Sequence, residues 1–332
     1  MLISSGKIAF MAKPIRKKLI TLKSILLDKQ NWWKFFQKNK GKLRQSVIDN
    51  ILKVIACKRR CLGYTIYHCA NPECGHAKVV SFTCNGRSCT SCGYKLTQQW
   101  IEKQKATLPE TNWQHITLTI PDVFWDLFWE NPWMKDEFMK LGAEVLQSIA
   151  RERGLIAGIF MALHTFGRDM KRNVHLHLSS TCGGLTLDHK TWKKLFYAQP
   201  AVMQRWRKAI LDWLESCLDR EDFTPLPSTV EGVSDRAALR LQIQQYRNRY
   251  WHVYLQKPSK SHVRNVNYLG RYIKRPPIAE SKLTDYDGKN ITFRYLNRKT
   301  QQHENKTLDA MTFIDKLTDH IPDKNFRLIR YY

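Results

Sequence analysis

No apolar run in this chain reaches the roughly 18 residues that a membrane-crossing helix needs, so nothing in it is expected to span a bilayer. Acidic residues are also scarce: 29 Asp and Glu stand against 55 Lys and Arg, for a formal charge of +26 and a pI near 9.8. A folded chain with that excess repels itself until a polyanion neutralises it, which puts nucleic acid first among partners, ahead of an anionic membrane surface. The opening "MLISSGKIAFMAKPIRKK" lacks a sustained apolar core and a small-residue cleavage site, so it does not read as a secretory signal. "MAKPIRKK", from Met11, reads as a sensible beginning. There is no internal repeat and no low-complexity tract. The 332 residues, 43% hydrophobic, can build two or three packed domains.

Seven of the nine cysteines lie between Cys57 and Cys92. A long basic chain without a signal peptide is expected in the reducing cytoplasm, associated with the nucleoid, and clustered thiols there point to metal rather than disulfides. "CANPECGHAKVVSFTCNGRSCTSCG" carries Cys69 and Cys74, then Cys89 and Cys92, two knuckles separated by a hairpin-length gap. Each pair can deliver two thiolates to one side of a tetrahedral Zn²⁺, and four thiolates leave no open position, so this zinc is structural. Cys57, Cys61, Cys84, His68 and His76 are near enough in sequence to contribute, or to build a second site.

The textures divide the chain into a basic helical segment (1–56), a zinc-binding domain (57–110) and a core (111–332) with a polar excursion at about 219–245. Residues 1–56 hold 13 Lys or Arg and two acids, Asp28 and Asp49, and apolar positions run at helical spacing from Trp33 to Ile55. "WQHITLTIP" reads as a strand. "VFWDLFWENPWMKDEFMKLGAEVLQSIARERG" is helical with a break at Pro132, and residues 189–218 are helical. "LIAGIFMALHTFGRD" and "NVHLHLSSTCGG" form a hairpin, and "RYWHVYLQKP" is a strand. "HVRNVNYLGRYIKR" is a helix stopped by Pro276 and Pro277, "KLTDYDGKNITFRYLN" a hairpin turning at Asp287-Gly288, and "LDAMTFIDKLTDHI" a last helix. Interleaved helices and hairpins predict an α+β fold on an antiparallel or mixed sheet.

Alternate residues of a strand share a face, so His175 and His177 project to one side. An H-x-H triplet is a short motif that also arises by chance. His164 strengthens it: if the two hairpin strands pair across "GRDMKR", His164 lands opposite the pair, and three imidazoles can hold a divalent cation with positions left open. Tyr268 and Tyr272, four apart on a helix, share a face among Arg264, Arg271, Lys274 and Arg275, where cations favour phenolate and bind phosphate. A metal beside phenols suits attack of tyrosine on a phosphodiester, leaving a 3′-hydroxyl and a 5′-phosphotyrosine. Trp251, Tyr254 and Lys257 sit by the late strand as candidate DNA contacts.

"HTFGRDMKRNVHLHLSSTCGGL", "WHVYLQKP" and "YLGRYIKRPPI", in that order, resemble the core of rolling-circle insertion-sequence transposases, the two-tyrosine members of the HUH nuclease superfamily. "CKRRCLG", "HCANPECGH" and "SFTCNGRSCTSCG" are similar to that family's N-terminal zinc-binding domain, and "HIPDKNFRLIRYY" to its C-terminal segment. The resemblance covers about residues 45–332. It implies His175 and His177 as ligands of Mg²⁺ or Mn²⁺, and Tyr268 and Tyr272 as nucleophiles. It also implies single-stranded DNA at element ends and target site as substrate, with room for a homo-oligomer. His164 falls on the family's "HTFG" position. The first knuckle, Cys69-x4-Cys74, is wider than the family's two-residue gap, and the family would carry a further segment beyond Tyr332. Two alternatives stand beside this reading: a plasmid relaxase or replication-initiator nickase with the same chemistry, and a non-enzymatic zinc-ribbon protein that binds nucleic acid.

Overall fold

The computed structural model describes residues 20–228, 231–273, 276–297 and 300–332, with the backbone alone for 271–273. Its first elements are short: α1 (Leu22–Leu27), α2 (Asn31–Lys38) and α3 (Gln45–Ala56). The apolar stripe expected to run as one helix from Trp33 to Ile55 is broken between α2 and α3. Gly41 takes φ +87° there, a left-handed conformation that a side chain disfavours. A hairpin follows, β1 (Tyr64–His68) with β2 (Ala77–Ser81), and then the long helix α4 (Thr90–Thr107).

Next come β3 (Trp113–Thr119), the single turn α5 (Leu127–Glu130), α6 (Met134–Arg151), β4 (Leu155–Phe166), β5 (Arg172–Thr186) and β6 (Trp192–Lys194). Residues 189–198 are therefore not helical. The helix α7 (Gln199–Cys217) starts where Pro200, which lacks an amide proton, fits a first turn. The supposed excursion is only partly one: α8 (Asp235–Tyr246) is capped by Ser234, whose hydroxyl accepts from the Ala237 amide, and buries Leu239 and Ile243 in the main core. Beyond it lie β7 (Val253–Leu255), α9 (His262–Ile273), β8 (Leu283–Tyr286), β9 (Asn290–Leu296), β10 (His303–Asp309), α10 (Ala310–Asp319) and β11 (Ile329–Tyr331). Gly288, at φ +88°, makes the β8–β9 turn, and Asp309 caps α10 by accepting from the Met311 and Thr312 amides.

The central sheet has the order β11-β4-β5-β3-β7, with β6 on the end of β5, and β10-β9-β8 form a second sheet; every pairing is antiparallel. Alternation gives the central sheet two unlike faces. Ile116, Leu118, Met161, Leu163, Leu176 and Leu178 point into the main core against α6 and α7. The approach is close at Gly142 of α6, where a Cβ would lie 2.4 Å from Leu176 Cδ1. The opposite face is covered by α4 and α9, whose Trp100, Ile101, Val266 and Leu269 pack on Trp113, Phe160 and Ala162.

The cores do not follow the consecutive segments 1–56, 57–110 and 111–332. Helices α1–α3 share theirs with residues from the far end of the chain, including Leu283, Ile291, Phe293, Phe313 and Leu317, and with Cys57, Cys89 and Cys92. Three helices of six to twelve residues expose too much of their apolar stripes to fold by themselves, so they close on α10 and the second sheet instead. Among the described residues no helix is long and apolar enough to cross a membrane.

Candidate active site

On the face beneath α4 and α9, β5 presents His175 and His177. Across the β4–β5 ladder His164 stands directly opposite His175, and Ala162 opposite His177. Across β3–β5, Thr119 faces His175 and Thr117 faces His177. The ladder slips between His164 and Phe166, a bulge of the kind that re-aims side chains at the edge of a site. Phe166 then stacks on His164 with centroids 5.4 Å apart. The imidazoles of His164, His175 and His177 lie 4.7–5.1 Å apart by centroid, and one nitrogen from each falls within 4.8 Å of the others. His164 and His177 are buried and His175 is half-buried, so the cluster opens on one side.

Each H-x-H imidazole has its Nδ1 engaged. His175 Nδ1 lies 3.0 Å from the Asn173 carbonyl oxygen, and His177 Nδ1 lies 3.2 Å from His115 Nε2. That assigns Nε2 of both rings to the cluster. Three imidazoles, two of them with the outer nitrogen held by a partner, are a fitting set for a divalent cation that keeps open positions. His115, 1% exposed on β3, is not a residue that the sequence pattern singles out. Burial pulls its pKa down to about 4, so the ring is neutral. Its ring stacks against His177 at 5.2 Å, and Tyr268 meets it edge-on at 4.7 Å.

Tyr268 projects from α9, half-buried, with its ring 6.4 Å from that of His177. The helix therefore carries a phenol to the histidine cluster. Lys274 and Arg275 lie outside the described residues, as do the side chains of Arg271 and Tyr272. Arg264 and Lys257 are exposed, and so is Tyr254. Trp251 is not a surface contact: it is 2% exposed in the main core, where its large apolar ring anchors the start of the short strand β7.

The cysteine grouping differs from the expected one. Cys57, Cys84, Cys89 and Cys92 converge, with Sγ–Sγ separations of 3.6 Å (Cys57–Cys92 and Cys84–Cys92) and 3.7 Å (Cys57–Cys89). A tetrahedron with ~2.3 Å zinc–sulfur bonds has edges of about 3.8 Å, so these residues fit Zn²⁺. Cys69 and Cys74 sit instead at the exposed tip of the β1–β2 hairpin, with Cys61, His68 and His76 also exposed. The hairpin explains the change. Its base is closed by the bonds Lys58 N–H to Phe82 O and Phe82 N–H to Gly63 O, which bring Cys57 and Cys84 together while the strands carry Cys69 and Cys74 away. Burial pushes the Cys89 thiol up to about 11. Cys92 is also opposed by burial, yet the Cys84 and Cys57 thiols hold it down at about 7. Four thiols crowded in one half-buried spot cannot all ionise alone, and a dication relieves that.

With this geometry in place, comparison with known proteins gives consistent matches. A family described as "Putative transposase" matches residues 158–332, and one described as "Transposase zinc-binding domain" matches residues 28–120. The chain is similar to the "Transposase for insertion sequence element IS801" of Pseudomonas savastanoi pv. phaseolicola, 38% identical over 94% of this chain and 75% of that protein. It is also similar to "Putative transposase y4qJ" of Sinorhizobium fredii (strain NBRC 101917 / NGR234), 28% identical over 83% of this chain and 71% of that one. No solved structure matches the chain.

Proposed function

The chain belongs to the transposase family that its second half matches, and from that premise we propose that it nicks single-stranded DNA at the ends of a mobile element and transfers the strand through a tyrosine. What supports this reading is one observation: His164, His175 and His177 converge on the sheet face that α9 covers with Tyr268. The three imidazoles would hold Mg²⁺ or Mn²⁺, with imidazole nitrogen leaning toward Mn²⁺. Such an ion, when bound, supplies a Lewis acid for a non-bridging phosphate oxygen.

The chain's own groups do the rest. Tyr268 Oη attacks phosphorus in line, the P–O3′ bond breaks, and the departing oxygen leaves as a 3′-hydroxyl. The 5′-phosphate stays on the phenol as an ester. That ester conserves the energy of the broken bond, so a later 3′-hydroxyl from the target can displace the phenol without ATP. Tyr272, four residues after Tyr268 in the sequence, would serve a second cleavage. The Asn173 carbonyl keeps the His175 ring aimed, and the four-cysteine zinc site is structural. The net charge of +26 and the exposed Lys257 and Arg264 suit a single-stranded polyanion, with action in the cytoplasm at the nucleoid. A relaxase would share this chemistry, but its zinc block and relatives would differ. A zinc-ribbon binder without chemistry gives the buried histidine cluster no use.

The test is incubation of the full chain with labelled single-stranded DNA from the element's ends and Mn²⁺ or Mg²⁺, followed by denaturing gels. A protein–DNA adduct that needs the metal, survives denaturation and is absent from the His175→Ala/His177→Ala protein is the expected result. Tyr268→Phe and Tyr272→Phe then assign the phenols. Tight binding without adduct or nick would overturn the reading.

A further inference from the structure

Behind the three clustered histidines, one more imidazole touches both halves of the site. His115 Nε2 lies 3.2 Å from His177 Nδ1 and 3.2 Å from Thr117 Oγ1, and Thr117 Oγ1 lies 3.4 Å from His177 Nδ1. The three atoms close a triangle behind His177, on the side away from the cluster. The same ring stands 4.7 Å from that of Tyr268. The sheet face it shares is otherwise largely apolar: Trp113, its neighbour but one on the strand, packs with Val266 and Leu269 of α9. An aromatic hydrocarbon would fill such a place without the cost of burying ring nitrogens, so packing alone gives no reason for an imidazole.

The two H-x-H rings are held differently. His175 rests on a backbone carbonyl, which no substitution removes. His177 depends on the side chains of His115 and Thr117. We propose that His115 is a positioning residue for strand cleavage, accepting a hydrogen bond from His177 Nδ1–H so that Nε2 faces the ion, and walling the Tyr268 ring so that ligand and nucleophile keep one spacing. This rests on the metal-dependent tyrosine reading above.

The experiment measures Mn²⁺ affinity of the zinc-loaded, DNA-free full chain by electron paramagnetic resonance, with thermal unfolding of each protein alongside. His115→Phe keeps the ring's bulk and removes the acceptor, and His115→Gln keeps an acceptor near the Nε2 position. Loss of a partner behind a ligating histidine weakens metal binding by about 10- to 100-fold. His115→Phe should show that loss with an unfolding temperature near wild type, and His115→Gln should recover most of it. His115→Ala, which also removes the ring that walls Tyr268, should give less adduct at saturating Mn²⁺ than His115→Phe does. Wild-type Mn²⁺ affinity in His115→Phe, or equal loss in Phe and Gln, overturns the inference while the parent reading stands. The His175→Ala/His177→Ala protein separates the two: if it still binds Mn²⁺ as wild type does, the histidine site itself is wrong. Should His115→Phe not fold, Thr117→Val, which keeps the shape of threonine at the third corner, reports the same triangle, and an unchanged Mn²⁺ affinity there overturns it as well.

Discussion

Gly270 lies in α9, two residues after Tyr268, and the helix meets α4 there. Propensity alone favours alanine over glycine inside a helix by about 1 kcal/mol, so Gly270→Ala should stabilise the protein if nothing opposes it. The structure opposes it. A Cβ at Gly270 would stand 2.6 Å from both Cγ1 and Cδ1 of Ile101, about 0.8 Å inside the 3.4 Å of ordinary contact. Ile101 is 5% exposed and packed within the cluster of Trp100, Val266 and Leu269, so it has little room to swing aside. Overpacking of this kind costs about 1–3 kcal/mol, enough to reverse the propensity gain and leave a net loss of about 1 kcal/mol. If α9 moves out instead, Tyr268 moves with it by a comparable fraction of an ångström. A displacement approaching 1 Å at a reacting group lowers rates by about 100-fold, so adduct formation should fall by about 10-fold or more. Urea unfolding and the single-turnover rate of adduct formation check both parts. Ile101→Ala removes both clashing atoms, so the double variant should regain much of the lost rate, and the pair should couple by at least about 1 kcal/mol in a double-mutant cycle. A Gly270→Ala protein that is more stable than wild type and reacts at the wild-type rate would refute the reasoning.

Three further outcomes are expected. His320 is buried, with Thr165 Oγ1 3.2 Å from its Nδ1, and burial pulls its pKa down to about 4, below the ordinary 6.5. The neutral ring is thus favoured in the fold: this stability is complete above roughly pH 6.5 and drains away as pH falls toward 4, amounting to about 2 kcal/mol between roughly pH 7.5 and pH 5. Urea unfolding of His320→Gln should lack that part of the slope, and identical slopes in both proteins would count against it. Cys92→Ser should release zinc and lower the unfolding temperature, whereas Cys69→Ser with Cys74→Ser should leave the zinc of the four-cysteine cluster in place; metal analysis of both proteins decides, and equal zinc loss would mean the grouping is wrong. Lys257→Ala and Arg264→Ala should each weaken single-stranded DNA binding and lower the slope of log affinity on log salt by about 0.7 for each phosphate no longer neutralised, as titrations across salt concentrations would show; unchanged slopes place the DNA elsewhere.

Local patterns carried much of the architecture. The β4–β5 hairpin follows from two strand-like runs around a polar turn, α6 ends at Arg151, shortly before Gly154 takes φ +70°, and Asp287-Gly288 turns β8 into β9. What was not legible depends on partners far away in the chain. β10 reads "HENKTLD", a charged strand exposed at alternate positions, and only its pairing with β9 reveals it. β11 is three residues laid on β4, some 170 positions earlier in the chain, and nothing within those three residues announces it. The core shared by α1–α3 and α10 joins opposite ends of the sequence. Periodicity shows each helix's apolar stripe but not the address of the surface that covers it.

The site divides along the same line. Which residues of β5 share a face follows from the period of two, and opposing His164 to them needs only the turn between the strands. Both relations are local. His115 belongs to β3, some sixty positions earlier, and enters because β3 pairs with β5 on the side away from β4. In sequence it sits among Trp113, Thr117 and Thr119 on one face of a strand whose other face holds Gln114, Ile116 and Leu118, and such a face looks like ordinary cover for a helix. The cysteines fail for a related reason. Spacing shows which thiols can form a knuckle, but a hairpin between knuckles brings its base together and sends its tip outward, so Cys57 and Cys84 meet while Cys69 and Cys74 do not. In both places the chemistry depends on a crossing that the chain makes only once its sheets are paired, and the polar residue stranded on an otherwise packed face is the mark that crossing leaves in the sequence.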